Sequence, residues 1–184
     1  MKRGTVAGVA VLVGWLASSV PATEVLAPEA SAKSSDVCKD GPLSRPRPSC
    51  APPPPPSTGD PHEDCVARIN QLRRTCQCLP PLRRWKGGET CASQQAKYDA
   101  KHGIHAGFKR EICEPHGLAQ NECPAWPSTK RVVNECLQSM WDEGPGKRFS
   151  KHGHYLNMSG DHEAVACGFA KDSDGQVWSV QNFR

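Results

Sequence analysis

Residues 151–158 read Lys-His-Gly-His-Tyr-Leu-Asn-Met and place His152 and His154 two positions apart. Imidazoles at that spacing can chelate a divalent cation, move a proton or line a binding cleft. On a strand the two would share a face and form a chelate; in a glycine-rich loop, a histidine is more often a solvated turn residue. Glu143 closes the helical pattern upstream, at the end of the helix where the dipole disfavours a negative charge, so another purpose is expected for it. Other chemistries lack their patterns. The chain has no Gly-x-Ser-x-Gly elbow, no His-Glu-x-x-His and no phosphate-binding glycine loop.

Ten cysteines is an even and dense complement for 184 residues. In an exported protein that density implies disulfides, and paired cysteines leave no thiolate nucleophile. A structural zinc site would want Cys-x-x-Cys pairs, whereas Cys76-Gln77-Cys78 has one intervening residue. Cys38 and Cys50 lie upstream of the other eight, so one arrangement pairs them with each other.

Compartment follows from the first residues. Met1-Lys2-Arg3 precedes an apolar run from Val6 to Val20, and Val20-Pro21-Ala22 suits a signal peptidase, so residues 1–22 are expected to be a signal peptide and the protein secreted. A membrane anchor is the alternative, but the run is shorter than the roughly 20 residues a span needs, and glycines and serines interrupt it. The formal net charge is +4, basic residues are scattered or paired, and aromatics make up 6% of the chain. Nucleic acid is therefore not an expected partner.

Residues 23–61 contain Arg-Pro-Arg-Pro-Ser-Cys followed by a run of prolines, and are expected to be a disordered, extended spacer. Residues 62–184 form the expected domain, about 120 residues and enough for one core. Val66, Ile69 and Leu72 recur at steps of three behind acidic residues, which predicts a first helix. Pro80 and Pro81 end it, with Leu79, Leu82 and Trp85 anchoring a turn. Cys91, Ala92, Gln95, Ala96 and Tyr98 predict a second helix, closed near Gly103. Residues 104–127 have no sustained period and are expected to be a disulfide-stapled loop. Ser128 can cap a third helix, whose Val132, Val133, Cys136, Leu137, Met140 and Trp141 form an apolar stripe. Two β-branched runs around Asp174-Gly175 predict a terminal hairpin.

This order of elements resembles the superfamily of cysteine-rich secretory proteins, antigen 5 and plant pathogenesis-related proteins, the CAP or SCP domain, here as a secreted member of bacterial type. The likeness is carried by Ile-Asn-Gln-Leu-Arg-Arg with Leu-Pro-Pro-Leu-Arg-Arg-Trp, and by Gly153-His154-Tyr155-Leu156-Asn157-Met158, similar to the family's Gly-His-Tyr-Thr-Gln-Met. Val165-Ala166-Cys167-Gly168 resembles Val-Gly-Cys-Gly, and Val180-Gln181-Asn182-Phe183 resembles Val-Cys-Asn-Tyr with its cysteine replaced.

The resemblance implies an α+β fold, a three-layer α-β-α sandwich with a small antiparallel sheet, stapled by disulfides. It also implies a cleft holding two histidines and two acids. His154 matches the second histidine, and Glu143, in Met-Trp-Asp-Glu, matches one acid. His105 is the choice for the first histidine, with His102 and His116 competing. The second acid is replaced by Gln120, and Glu122 is a candidate substitute. On this likeness His105, Gln120, Glu143 and His154 form a ligand cleft, with His105 and His154 able to hold a divalent metal such as zinc. Losing one carboxylate would weaken metal affinity and remove any proton transfer assigned to it.

Three functions fit. The first is a non-catalytic binding module for a small apolar, lipid- or sterol-like ligand or a divalent metal. The second is a metal-dependent, peptidase-like hydrolase with Glu143 as general base. The third is an extracellular protein that binds a protein partner, with the proline tract as stalk and the cleft vestigial.

Overall fold

The computed structural model describes residues 38–184, so the expected signal peptide and the first part of the proline-rich segment lie outside the described residues. The first helix, α1 (Pro61–Gln77), starts where the Asp60 carboxylate accepts from the N–H groups of His62 and Glu63, with Pro61 at a position that needs no donor. Val66, Ile69 and Leu72 form its buried stripe, as their spacing predicts. A two-residue strand, β1 (Arg83–Arg84), follows the prolines, and α2 (Lys86–His102) ends at Gly103, whose φ of +97° suits glycine.

The third predicted helix is present in three parts: α4 (Thr129–Arg131), a π-helical stretch (Val132–Cys136) and α5 (Leu137–Asp142). Its six stripe residues are all buried, Trp141 and Met140 among them. Ser128 caps it by accepting from the Arg131 N–H. The terminal hairpin is β3 (Ala164–Lys171) and β4 (Val177–Phe183), turned around Gly175 at φ +77°.

Two expectations are corrected. Residues 104–127 are more than a loop: they carry a short helix, α3 (Ala106–Lys109), and a full strand, β2 (Ala119–Trp126). Gln120, Asn121 and Glu122 are buried on both faces of that strand, so no apolar alternation marks it. The Gly-His-Tyr stretch is a helix, α6 (Phe149–Ser159), despite the roughly 1 kcal/mol that a mid-helix glycine costs. Burial of Tyr155 and Met158 in the core outweighs that local cost.

The sheet runs β1-β3-β4-β2. Its three long strands are antiparallel, as expected, and β1 adds a short parallel pairing to β3 at one edge. Pro124 is tolerated because β2 is the other edge and shifts register between Cys123 and Trp126. Alternation in β3 and β4 sorts the layers. Val165, Cys167, Val177 and Phe183 join the core with α1, α5 and α6, while Val180 packs with Ala92 and Ala96 of α2. The result is the α-β-α arrangement. Where α2 crosses β3 the two backbones nearly touch: a Cβ on Gly168 would lie 2.1 Å from the Ala92 carbonyl carbon and 2.2 Å from the Ser93 nitrogen.

Five disulfides staple the fold. The suggested Cys38–Cys50 pairing is corrected: Cys38 joins Cys78 and Cys50 joins Cys76, so the Cys-Gln-Cys at the end of α1 receives both upstream cysteines. Cys65–Cys167 ties α1 to β3, Cys91–Cys113 ties α2 to the following loop, and Cys123–Cys136 ties β2 to the π-helical stretch. From Cys38 on, the proline-rich segment is fastened to the domain rather than free of it. Prolines keep their carbonyl acceptors, and those of Pro52 and Pro53 receive the Arg68 guanidinium at 2.8 Å and the Gln71 amide at 2.7 Å.

Candidate functional site

The cavity of interest lies where α6, the end of α5, β2 and the turn before α3 meet. It has a volume of about 190 Å³, and His105, Gln120, Glu143 and His154 all line it, together with Phe149, Asn157 and their neighbours. His102 and His116 do not line it. The His102 ring stacks on Tyr98, and that of His116 meets Phe108 edge-on while its Nδ1 contacts Glu114.

The Glu143 carboxylate is committed to α6. Its Oε1 accepts from the His154 Nδ1 at 2.5 Å, and its Oε2 accepts the backbone N–H groups of His154 and Tyr155 at 3.0 and 3.4 Å. A charge at the unfavourable end of α5 is thus met by donors of the next helix. His152 lies outside the cavity. Its Nδ1 is within reach of the Glu143 and Gly144 carbonyls at 2.7 and 3.0 Å, and the ring packs over Gly146 in the turn.

His105 reaches the same cavity from the opposite side, and an amide chain fixes its tautomer. Gln120 donates its Nε2 hydrogens to Gln95 Oε1 at 3.0 Å and Asn182 Oδ1 at 3.1 Å, so its Oε1 is left to accept from His105 Nδ1 at 2.7 Å. Asn182 in turn donates to Gln95 Oε1 at 2.7 Å. The amide therefore does the orienting work expected of the missing acid, without its charge. Both imidazoles carry their hydrogen on Nδ1 and leave Nε2 as the nitrogen available to a ligand.

Glu122 does not replace that acid in the cavity. Its side chain has no exposure, and its Oε2 accepts the His105 N–H at 2.7 Å from beneath. Burial foremost, with Asp99 alongside, pushes its carboxyl up to about 8 against the pull of that N–H. Asp99 is also raised, chiefly by burial, and holds the Gly107 N–H at 2.5 Å. Asp99 Oδ2 and Glu122 Oε1 have no other partner, so a proton carried by Glu122 and shared with Asp99 satisfies both. This acid pair seats the turn at His105, which stands at φ +59°.

Asn157 was not singled out by sequence. It donates to the Gln120 carbonyl and to Asn121 Oδ1, at 3.2 and 2.9 Å, and Asn121 donates to the His154 carbonyl at 3.0 Å. A helical reading of 149–159 would have found it, one turn after His154.

Two imidazole nitrogens are fewer than the three or four protein ligands of a zinc site. Among the described residues no group of three or more His, Cys, Asp or Glu side chains is arranged to hold a metal. Both oxygens of Glu143 are already engaged and Gln120 cannot ionise, so no free carboxylate faces the cavity. Also among the described residues, no helix is long and apolar enough to cross a membrane.

Comparison with curated proteins gives no match. A family profile, however, matches residues 66–183, from the first turns of α1 to the last residue of β4, which take in the whole cavity. Over that span, well over half of its length, the chain belongs to the cysteine-rich secretory protein family, CAP.

Proposed function

We propose that this protein is a secreted, non-catalytic binding module whose cavity takes the small polar head of an otherwise apolar, lipid- or sterol-like molecule. One observation carries the reading. The exposed large hydrophobic side chains among the described residues are Ile104, Leu118 and Phe149, at 51%, 81% and 64% exposure. Ile104 precedes His105, Leu118 lies two residues before Gln120, and Phe149 lines the cavity itself. Apolar surface left in water is thus concentrated on the segments that carry the site.

Volume points the same way. At about 190 Å³ the cavity is smaller than the roughly 300 Å³ at which ligand pockets begin, so it suits a head group with the apolar remainder lying over the rim. His105 and His154 would supply two nitrogen ligands to a divalent cation, with ligand or solvent completing its shell. Such a cation would add positive charge for an oxygen-bearing head group. A hydrolase would need a base free to act on water, and Glu143 is occupied in positioning His154.

The test is a panel of fluorescent sterols and fatty acids titrated into the oxidised, full-length protein with and without zinc. Saturable binding is expected, weakened about tenfold by Phe149→Ser or His154→Ala, with a cooperative melting transition showing that each variant is folded. No saturable binding by any member of the panel would overturn the reading.

A further inference from the structure

A second concavity lies on another part of the surface, between α2 and the end of β3. It is open and larger, about 660 Å³. Lys86, Thr90, Ser93, Gln94 and Lys97 supply one wall, at steps of three and four along a single face of α2. Phe169 and Lys171 supply the other. The three lysines are exposed and have no ion-pair partner among the described residues. The acid lining this basin, Glu89, has both oxygens engaged by the Arg84 guanidinium at 2.6 and 3.0 Å, a guanidinium that also meets Asp60 at 2.8 Å and Glu63 at 3.4 Å on the side toward α1.

The remaining groups include hydroxyl and amide donors and an aromatic face. Ser93 Oγ accepts the Phe169 N–H at 3.3 Å, which leaves its hydroxyl hydrogen free. The Phe169 ring is half-buried, held edge-on by His62 at 5.5 Å between centroids. Lys86 and Lys97 are eleven helical steps apart, about 16 Å along the axis. A single sulfate or phosphate cannot span that distance, whereas an extended polyanion can.

We infer that this basin binds an acidic polysaccharide, its sulfate or carboxylate groups meeting Lys86, Lys97 and Lys171 while a sugar face rests on Phe169. Nucleic acid is the weaker fit. One aromatic ring makes no stacking platform, and five disulfides belong to an oxidising compartment.

The experiment uses the full-length oxidised protein on immobilised dextran sulfate and on polygalacturonate, with neutral dextran and duplex DNA as comparisons. Salt-sensitive retention on either acidic glycan is expected and identifies the acid group recognised. Together, Lys86→Ser, Lys97→Ser and Lys171→Ser should weaken it about tenfold or more, while Lys130→Ser with Lys151→Ser should not. All five positions are exposed, and melting temperature checks that each variant folds. The inference is overturned by a folded triple variant that binds as the parent does, by equal retention on neutral dextran, by no retention on either glycan, or by equally tight binding to DNA.

Discussion

His154 and Glu143 are joined twice: the carboxylate accepts both the Nδ1 hydrogen and the backbone N–H of the same histidine, at 2.5 and 3.0 Å. Ring orientation and helix position are therefore set by one side chain, delivered from the end of the preceding helix.

Glu143→Ala should free the His154 ring, and a divalent cation held by His105 and His154 as proposed would then bind about 10–100-fold more weakly, the usual effect of losing a carboxylate that orients a ligating histidine. Glu143→Gln keeps an acceptor and should fall between. Competition titration with a chromophoric chelator reads both. Equal affinity in a folded Glu143→Ala protein would show that the carboxylate does not position the ring.

Gln120→Glu supplies the charge that the resemblance implies at this position and should nevertheless destabilise this chain. Asn182 Oδ1 would lose its donor, Gln95 Oε1 would keep only Asn182 as donor, and both would face a carboxylate instead, a cost of about 1–3 kcal/mol for a buried acceptor left unpaired. Urea unfolding should show the loss without zinc. A variant as stable as the parent would mean that Gln95 and Asn182 reorient at no cost.

Glu122 makes stability depend on pH in a stated direction. Its carboxyl, held up to about 8 when folded, titrates near 4.5 as an ordinary glutamate. Between those values the unfolded chain has released a proton that the folded protein keeps, so stability falls as pH rises through the window. Glu122→Gln, which can still donate to Asp99 and accept from the His105 N–H, should flatten that decline. Urea midpoints from pH 4.5 to 8 would reveal it, and parallel curves for the two proteins would refute it.

Gly168→Ala should be among the more damaging single-methyl additions in the molecule. The new carbon meets backbone atoms of Ala92 and Ser93, which cannot rotate away, so α2 must shift from the sheet at a cost of about 1–3 kcal/mol or more. A drop in melting temperature should accompany it. A neutral result would show that α2 can move away from β3 at no cost.

The elements that sequence predicts well are those whose apolar residues keep a period. Val66, Ile69 and Leu72, the stripe from Val132 to Trp141, and the hairpin around Gly175 are each explained by neighbours close in the chain. Strand β2 and helix α6 are not. β2 buries Gln120, Asn121 and Glu122 because their polar groups find partners on α2, β4 and α6, all distant in sequence. α6 carries a glycine at its centre and is held by a core that no local rule contains.

The candidate site divides along the same line. The sequence, through its resemblance to a known family, determined which side chains to consider: two histidines, a helix-end glutamate, and a glutamine where the resemblance implies an acid. Only the tertiary structure decided that His105 rather than His102 or His116 faces His154 across the cavity. It also decided that Glu122 supports the turn from below, and that Cys38 and Cys50 pair with the end of α1. Each of those outcomes rests on groups brought together across long stretches of chain, where burial and hydrogen-bond satisfaction act and sequence spacing carries no information.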